Sequence, residues 1–113
     1  MSEETTPDDI VIAVITCADA GEAERIATAL IEEHLGACAQ WHAHESLYRW
    51  QGRIERATET RLLVKSRKGL LKALIDRVRA LHSYELPAIL ALEPGAVLPE
   101  FADWVRAETA AGR

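Results

Sequence analysis

Ser46-Leu47-Tyr48-Arg49-Trp50-Gln51-Gly52-Arg53-Ile54 is the most informative stretch of this chain. Gly52 is typical of a turn, and the runs on both sides are typical of strands, so the stretch predicts the tip of a β-hairpin. Its arms, residues 37–50 and 53–66, contain predicted strands of about a dozen residues, which would each reach about 40 Å at roughly 3.3 Å per residue. A domain of this length has a radius of gyration of only about 13 Å. The far half, with Tyr48 and Trp50, therefore needs another surface, and we expect a second copy of the chain to provide it.

Strand and helix patterns surround the hairpin on both sides. Ile10 to Cys17 is a β-branched run typical of a central strand. Asp19 is a predicted N-cap, with Glu22 completing a capping-box pattern, and Gly36 is the predicted end of the first helix. Later patterns predict a helix with the stripe Leu71, Leu74, Ile75, Val78 and Leu81, a strand from Leu86 to Leu92, and a short helix with Pro99 in its first turn.

The predicted order β-α-β-β-α-β followed by a short helix indicates an α+β, ferredoxin-like fold with an extended hairpin. Right-handed crossovers then give four antiparallel strands with both main helices on one face. The opposite face would be bare in a monomer, which is a second reason to expect association. We predict a disordered tail at residues 1–9 and one domain over residues 10–113.

Composition excludes several classes of protein. The net charge of −5 argues against a general nucleic-acid binder. The longest apolar run, Ile10 to Ile15, is too short to cross a membrane, and the acidic start has no secretory pattern. We therefore expect a cytoplasmic protein with no membrane or nucleic-acid partner. Two cysteines, Cys17 and Cys38, form no disulfide framework and are either buried thiols or soft metal ligands.

The histidines are the candidate metal ligands. His42 and His44 lie two apart on a predicted strand, so their side chains point the same way and can share a borderline metal. The alternative is a polar strand face or a subunit contact. His82 follows the second helix and lies beside Tyr84 and Glu85. It either caps the helix, whose dipole favours a protonated ring, or acts as a ligand or hydrogen-bond donor in a cleft where loops meet. No nucleophile pairs with an obvious base, so we expect no enzymatic activity.

The chain resembles the CutA divalent-cation-tolerance family over nearly all of residues 10–106. The resemblance rests on the following stretches: Val14-Ile15-Thr16-Cys17-Ala18-Asp19, Leu35-Gly36-Ala37-Cys38-Ala39, Ser46 to Ile54, Val64-Lys65-Ser66-Arg67, His82-Ser83-Tyr84-Glu85-Leu86-Pro87 and Phe101-Ala102-Asp103-Trp104-Val105. The chain departs from the family pattern at Ser83, where proline is usual, and at Ala88, where glutamate is usual.

The resemblance implies a homotrimer of ferredoxin-like subunits, similar in architecture to the PII signalling proteins, with a role in tolerance to divalent metals, chiefly copper. It also implies copper ligands at Ile15, Leu81 and His82, of which only His82 can bind a metal. Cys17 lies on the same side of its strand as Ile15 and is a candidate substitute.

Three functions follow from these patterns. The first is a trimer that binds a transition metal weakly through Cys17 and His82, then His42 and His44. The second is a PII-like regulatory module that holds a small anionic ligand between subunits and signals to a protein partner; its candidate cleft residues are Arg49, Lys65, Arg67, Tyr84 and Glu85. The third is a structural or interaction trimer without a small ligand.

Overall fold

The computed structural model describes residues 6–110. The elements are β1 (Ile10–Cys17), α1 (Ala20–Glu32), β2 (Cys38–Trp50), β3 (Arg53–Arg67), α2 (Leu71–Leu81), β4 (Ile89–Leu92) and α3 (Pro99–Glu108). A short 3₁₀ turn, Lys68–Leu70, joins β3 to α2. The predicted element order is confirmed, and the fold belongs to the α+β class.

The four strands form one sheet in the order β2-β3-β1-β4. Every neighbouring pair is antiparallel, with Ile15 opposite Leu62 on β3 and opposite Ile89 on β4. The predicted four-stranded antiparallel layout is therefore confirmed. β1 lies inside the sheet with a neighbour on each side, which agrees with its continuous apolar sequence.

The main core lies between α1, α2 and one face of the sheet, which we call the helix face. On both helices the core residues recur at helical spacing, so one stripe of each helix is buried and the other side faces solvent. The core joins residues of both helices to residues of β1 and β3: Ala13, Ile15, Cys17, Ala23, Ile26, Ala27, Leu30, Leu62, Val64, Leu74 and Val78.

The opposite face, which we call the open face, is only partly covered. α3 packs over one end of it, where Ile10 clusters with Ala102 and Val105. Beyond that end, Leu90 and Leu92 on β4 are exposed. The face that the sequence predicts to be bare is thus bare except where α3 covers its end.

The hairpin extends well beyond this body. β2 pairs with β3 along its whole length up to the Trp50–Arg53 pair, and Leu47 and Ile54 near the tip are exposed. The turn residues Gln51 and Gly52 have φ values of 49° and 81°, and a two-residue type I′ turn requires a positive φ at both positions. The radius of gyration of 15.0 Å exceeds the roughly 13 Å expected for this length, as a protruding hairpin requires.

Helix α1 ends earlier than the sequence predicts. Its last residue is Glu32, and His34, not Gly36, takes the left-handed conformation, with φ 59°. The chain then turns back, and Leu35 and Gly36 both donate their backbone N–H to the Leu30 carbonyl, at 2.9 and 3.2 Å. Gly36 is needed for a different reason, because a Cβ at this position would overlap the side chain of Val64.

The last strand also differs from the prediction. β4 begins at Ile89, not at Leu86. Pro87 has no N–H to donate to a strand ladder, which explains why regular pairing starts beyond it. Ala88 still accepts the Thr16 N–H at 3.1 Å, so the segment before β4 stays close to the end of β1.

Residues 6–9, which the sequence assigns to a disordered tail, make hydrogen bonds in the structure. The Asp9 carboxylate accepts hydrogen bonds from the Thr6 N–H and hydroxyl, and Pro7 accepts the Gly69 N–H at 2.9 Å. These bonds attach the segment to the turn after β3. Residues 1–5 of the predicted tail and residues 111–113 of the predicted domain lie outside the described residues.

We predict that Gly36→Ala lowers the free energy of unfolding by about 1–3 kcal/mol, because its Cβ would overlap a core valine side chain. Urea unfolding of the purified protein measures this change. Gly95→Ala is the matched control, since a Cβ at Gly95 meets nothing within 4 Å. Equal stability of the two variants would contradict the close approach at Gly36.

Candidate functional site

The site is built around a buried carboxylate on the first turn of α1. Glu22 is only 2% exposed. Its backbone N–H donates to the Asp19 carboxylate at 2.8 Å, and its own Oε1 accepts the Ala18 N–H at 2.8 Å. The predicted capping box is therefore present, with the return bond made one residue earlier, at Ala18 instead of Asp19.

The second oxygen of Glu22 reaches a distant segment. Oε2 accepts the backbone N–H of Ser83 at 2.7 Å, so one side chain joins the β1–α1 turn to the loop after α2. Burial raises the pKa of Glu22, but hydrogen bonds from Ala18 and Ser83 lower it by more, and the net shift is downward. Glu22 is therefore ionised at neutral pH in spite of its burial.

His82 lies directly against this carboxylate. It ends α2 as its C-cap, and its Nε2 donates to the Thr16 carbonyl at 2.7 Å. Its Nδ1 accepts the Tyr84 N–H at 3.0 Å and lies 3.9 Å from Oε1 of Glu22. Nδ1 therefore acts as an acceptor and Nε2 as a donor, so both ring nitrogens have backbone partners. His82 thus both caps the helix and connects it to β1.

Cys17, at the end of β1, completes a group of three possible metal ligands. One ligand atom from each of Cys17, Glu22 and His82 lies within 4.8 Å of the others, and we call this group the buried triad. Burial, then the charge of Glu22, raises the pKa of Cys17 to about 12, so the thiol is protonated at neutral pH. The structure brings the predicted residues Cys17 and His82 together and adds Glu22, which the sequence indicated only as part of a helix cap.

A cleft of about 790 Å³ lies beside the triad on the open face. Its lining residues come from the strand ends and the loop before β4: Thr16, His44, Glu45, Ser46, Leu47, Tyr48, Trp50, Glu59, Arg61, Ser83, Tyr84, Glu85, Leu86 and Ala88. The predicted cleft residues Tyr84 and Glu85 are both among them. So are Tyr48 and Trp50, which the sequence indicated as interface residues.

A short hydrogen bond orders the base of the cleft. The Tyr84 hydroxyl donates to Oε2 of Glu59 at 2.6 Å, and burial, together with this bond to Glu59, raises the pKa of Tyr84. Glu59 is only 5% exposed. Nothing in the local pattern marks Glu59 as buried, because Tyr84, the residue bonded to it, lies 25 positions away.

His42 and His44 lie side by side but do not join the triad. Their ring centroids are 6.3 Å apart on the open face, whereas Cys17 lies on the helix face. Within residues 6–110 the only group of three close metal-ligating side chains is the buried triad. The predicted metal site at His42 and His44 therefore lacks a third ligand in one subunit, and His44 contributes to the cleft wall instead.

The three basic side chains predicted to bind an anion do not form a cluster. Arg67 bonds to the hydroxyl and carbonyl oxygens of Thr109 at 3.1 and 2.9 Å. Lys65 bonds to a side chain of β2, and Arg49 lies near the hairpin tip. None of them lines the cleft. Apart from His44, the one basic side chain among the described lining residues is Arg61.

Comparison with known proteins gives one consistent family. Residues 11–108 match the family model described as CutA1 divalent ion tolerance protein. The chain is 42% identical over 91 residues to the divalent-cation tolerance protein CutA of Archaeoglobus fulgidus, a match that covers 80% of this chain and 89% of that protein.

Solved structures agree with this match. The structure of the A. fulgidus protein, described as periplasmic, has a TM-score of 0.87 at 38% identity and covers 88% of this chain and 98% of that one. The divalent cation tolerance protein of Thermus thermophilus has a TM-score of 0.86 at 38% identity, covering 89% of this chain and 99% of that one.

We predict that Glu22→Gln lowers the free energy of unfolding at pH 7 by about 1–3 kcal/mol, because a glutamine amide nitrogen cannot accept one of the two backbone N–H bonds. The folded pKa of Glu22 is lowered, so its stabilisation is complete well above the ordinary value of 4.5 and is lost as pH falls through the folded pKa. The difference between variant and wild type should therefore shrink in acid.

Urea unfolding at pH 7 and at decreasing pH below 4.5 measures both effects. Glu24→Gln, on the exposed side of the same helix turn, is the control. A loss of stability that stays the same at acid pH would show that the charge of Glu22 is not what stabilises the fold.

Proposed function

Because this chain belongs to the CutA1 divalent ion tolerance family, we propose that it acts in tolerance of divalent transition metals, copper among them, by binding them weakly at the buried triad. The observation that supports a metal site is the convergence of a thiol, an imidazole and a carboxylate within 4.8 Å. Thiolate and imidazole ligands suit copper and zinc better than magnesium or calcium.

A thiol, an imidazole and a carboxylate are suitable ligands for a transition metal. We propose weak binding because each of them already holds a proton or a hydrogen bond that a metal ion would have to displace. To bind an ion, Cys17 must lose the proton of a thiol whose pKa is about 12. His82 must release one of the two backbone groups that its ring nitrogens hold, and Glu22 already accepts two backbone N–H bonds. Occupancy of the triad would therefore be coupled to the position of the loop that begins at Ser83.

We propose that the protein works as a homotrimer of ferredoxin-like, PII-like subunits. Two features support association: the open face leaves Leu90 and Leu92 exposed, and the hairpin extends beyond the subunit core. Exposed apolar side chains on a sheet face favour contact with another surface, and closed rings of identical subunits are a common outcome. Tyr48 and Trp50 are the proposed anchors.

We propose a non-enzymatic role, since the family is named for tolerance of metals and not for a reaction. A buried thiol with a raised pKa is also a poor nucleophile. Within residues 6–110 no helix has the length and apolar composition needed to span a bilayer. The cytoplasmic location stays a prediction, because the related A. fulgidus protein is described as periplasmic. A protein partner is likewise a proposal without a residue assigned to it.

We predict that the affinity for Zn²⁺ rises about tenfold per pH unit between about pH 6 and pH 8, because coordination releases the Cys17 proton. Competition with a chromophoric chelator measures this slope, and Zn²⁺ is chosen because it does not oxidise thiols. Cys17→Ser and His82→Ala should each weaken binding.

The control for this experiment is Cys38→Ser, which removes the other cysteine of the chain, on β2. It should leave the affinity unchanged. Binding that is independent of pH, or equal in the Cys17→Ser variant and the wild type, would remove the triad as the metal site. A trimer that binds no metal at all would then favour a structural or interaction role.

We predict that Trp50→Ala dissociates the trimer at low micromolar concentration, because aromatic interface anchors each contribute about 2 kcal/mol or more. Trp41→Ala is a matched control: Trp50 and Trp41 both lie on β2 and are 38% and 39% exposed, but they point to opposite faces of the sheet. Sedimentation velocity should show a smaller species for the Trp50 variant only. If both variants sediment like the wild type, Trp50 is not an anchor.

A further inference from the structure

The cleft on the open face carries fixed charges of both signs. Glu59 and Arg61 lie two residues apart on the same face of β3, which places them about 7 Å apart along the strand. Glu59 uses Oε2 to hold the Tyr84 hydroxyl, while Arg61 is exposed and has no ion-pair partner within residues 6–110. The cleft therefore offers one carboxylate and one guanidinium to the same small volume.

The walls of the cleft are largely aromatic and aliphatic. Tyr48, Trp50 and Tyr84 line it together with Leu47 and Leu86. The ring of Tyr84 is held in place by its hydroxyl bond and by the imidazole ring of the neighbouring α2 C-cap, whose centroid is 4.9 Å away. Concave sites with apolar walls and a few fixed polar groups are typical of small-molecule binding, and about 790 Å³ is within their usual range.

One polar atom in the cleft wall lacks a partner. Nε2 of His44 is the only buried side-chain nitrogen or oxygen without a hydrogen bond among residues 6–110. The other ring nitrogen, Nδ1, has the Ser46 hydroxyl at 3.2 Å and the Glu45 carbonyl at 3.4 Å. Either tautomer leaves Nε2 without a hydrogen-bond partner within residues 6–110, and an unsatisfied buried polar atom costs free energy.

The charged side chains that line the cleft indicate which class of ligand it can bind. A small anion would meet Arg61 but also the carboxylates of Glu59 and Glu85, so the anionic ligand expected from the sequence is disfavoured. A simple cation would meet those carboxylates but also Arg61. A molecule that carries both an ammonium and a carboxylate group satisfies Glu59 and Arg61 at once.

We propose that this cleft binds a small zwitterion, an α-amino acid with an aromatic or apolar side chain. Its ammonium group bonds to the free oxygen of Glu59, its carboxylate bonds to Arg61, and its side chain packs against Tyr48 and Tyr84. The site is separate from the buried triad and does not depend on the proposed metal binding. In a trimer, a neighbouring subunit that packs on Tyr48 and Trp50 would close the cleft on that side.

Four probes that differ only in their charged groups test this proposal. They are L-phenylalanine, phenethylammonium, 3-phenylpropionate and 2-phenylethanol, each titrated calorimetrically into the full chain. We expect L-phenylalanine to bind at least about tenfold more tightly than each of the others, because each lost charge-assisted hydrogen bond weakens binding by that order. No binding by any probe, or tightest binding by 3-phenylpropionate, would overturn the proposal.

One substitution assigns the carboxylate contact. Arg61→Gln should abolish the preference for L-phenylalanine over phenethylammonium and leave the Zn²⁺ affinity unchanged. Arg61 is exposed, so the variant is expected to fold, and Arg79→Gln on the exposed side of α2 is the control that has the same net charge. If the two variants lose the same affinity for L-phenylalanine, Arg61 does not contact the ligand and the proposed site is wrong.

Discussion

The buried carboxylate of Glu22 connects the end of β1 to the loop after α2. It accepts the backbone N–H of Ala18 on one side and of Ser83 on the other, across 61 positions of sequence. Removing such a carboxylate from water is costly unless hydrogen bonds replace the lost hydration. Because two backbone donors do so, the end of β1 and the loop after α2 keep a fixed separation. The triad and the cleft both lie along that junction.

The two faces of the sheet have different roles. The helix face is closed by α1 and α2 and provides the hydrophobic core of the subunit. The open face is closed by α3 only at the Ile10 end, and it carries the cleft, His42 and His44, and the exposed leucines of β4. The proposed trimer contact and the proposed ligand cleft therefore share one surface, and occupancy of the cleft can influence how subunits pack there.

The protonated thiol of Cys17 limits how readily the triad can bind a metal ion. Cys17 keeps its proton because it is buried beside the charges of Glu22, Asp19 and Glu59, and both ring nitrogens of His82 already have backbone partners. The metal binding that we propose for this site would have to exchange existing bonds for new ones. Such exchange favours a response to high metal concentration over permanent storage of a resident ion, which agrees with a family defined by tolerance of divalent ions.

Local sequence patterns were enough to predict the order of elements, the apolar stripe of α2, the turn at Gln51-Gly52 and the central position of β1, because periodicity and turn chemistry act within a few residues. They failed at the end of α1, where His34 takes the left-handed position that the pattern assigned to Gly36. Which side chains meet became visible only in the folded chain: Glu22 beside His82, Glu59 under Tyr84, and the cations Arg49, Lys65 and Arg67 kept apart. These contacts depend on strand register and on the path of the loop before β4, and both are set by long-range packing that local patterns do not encode.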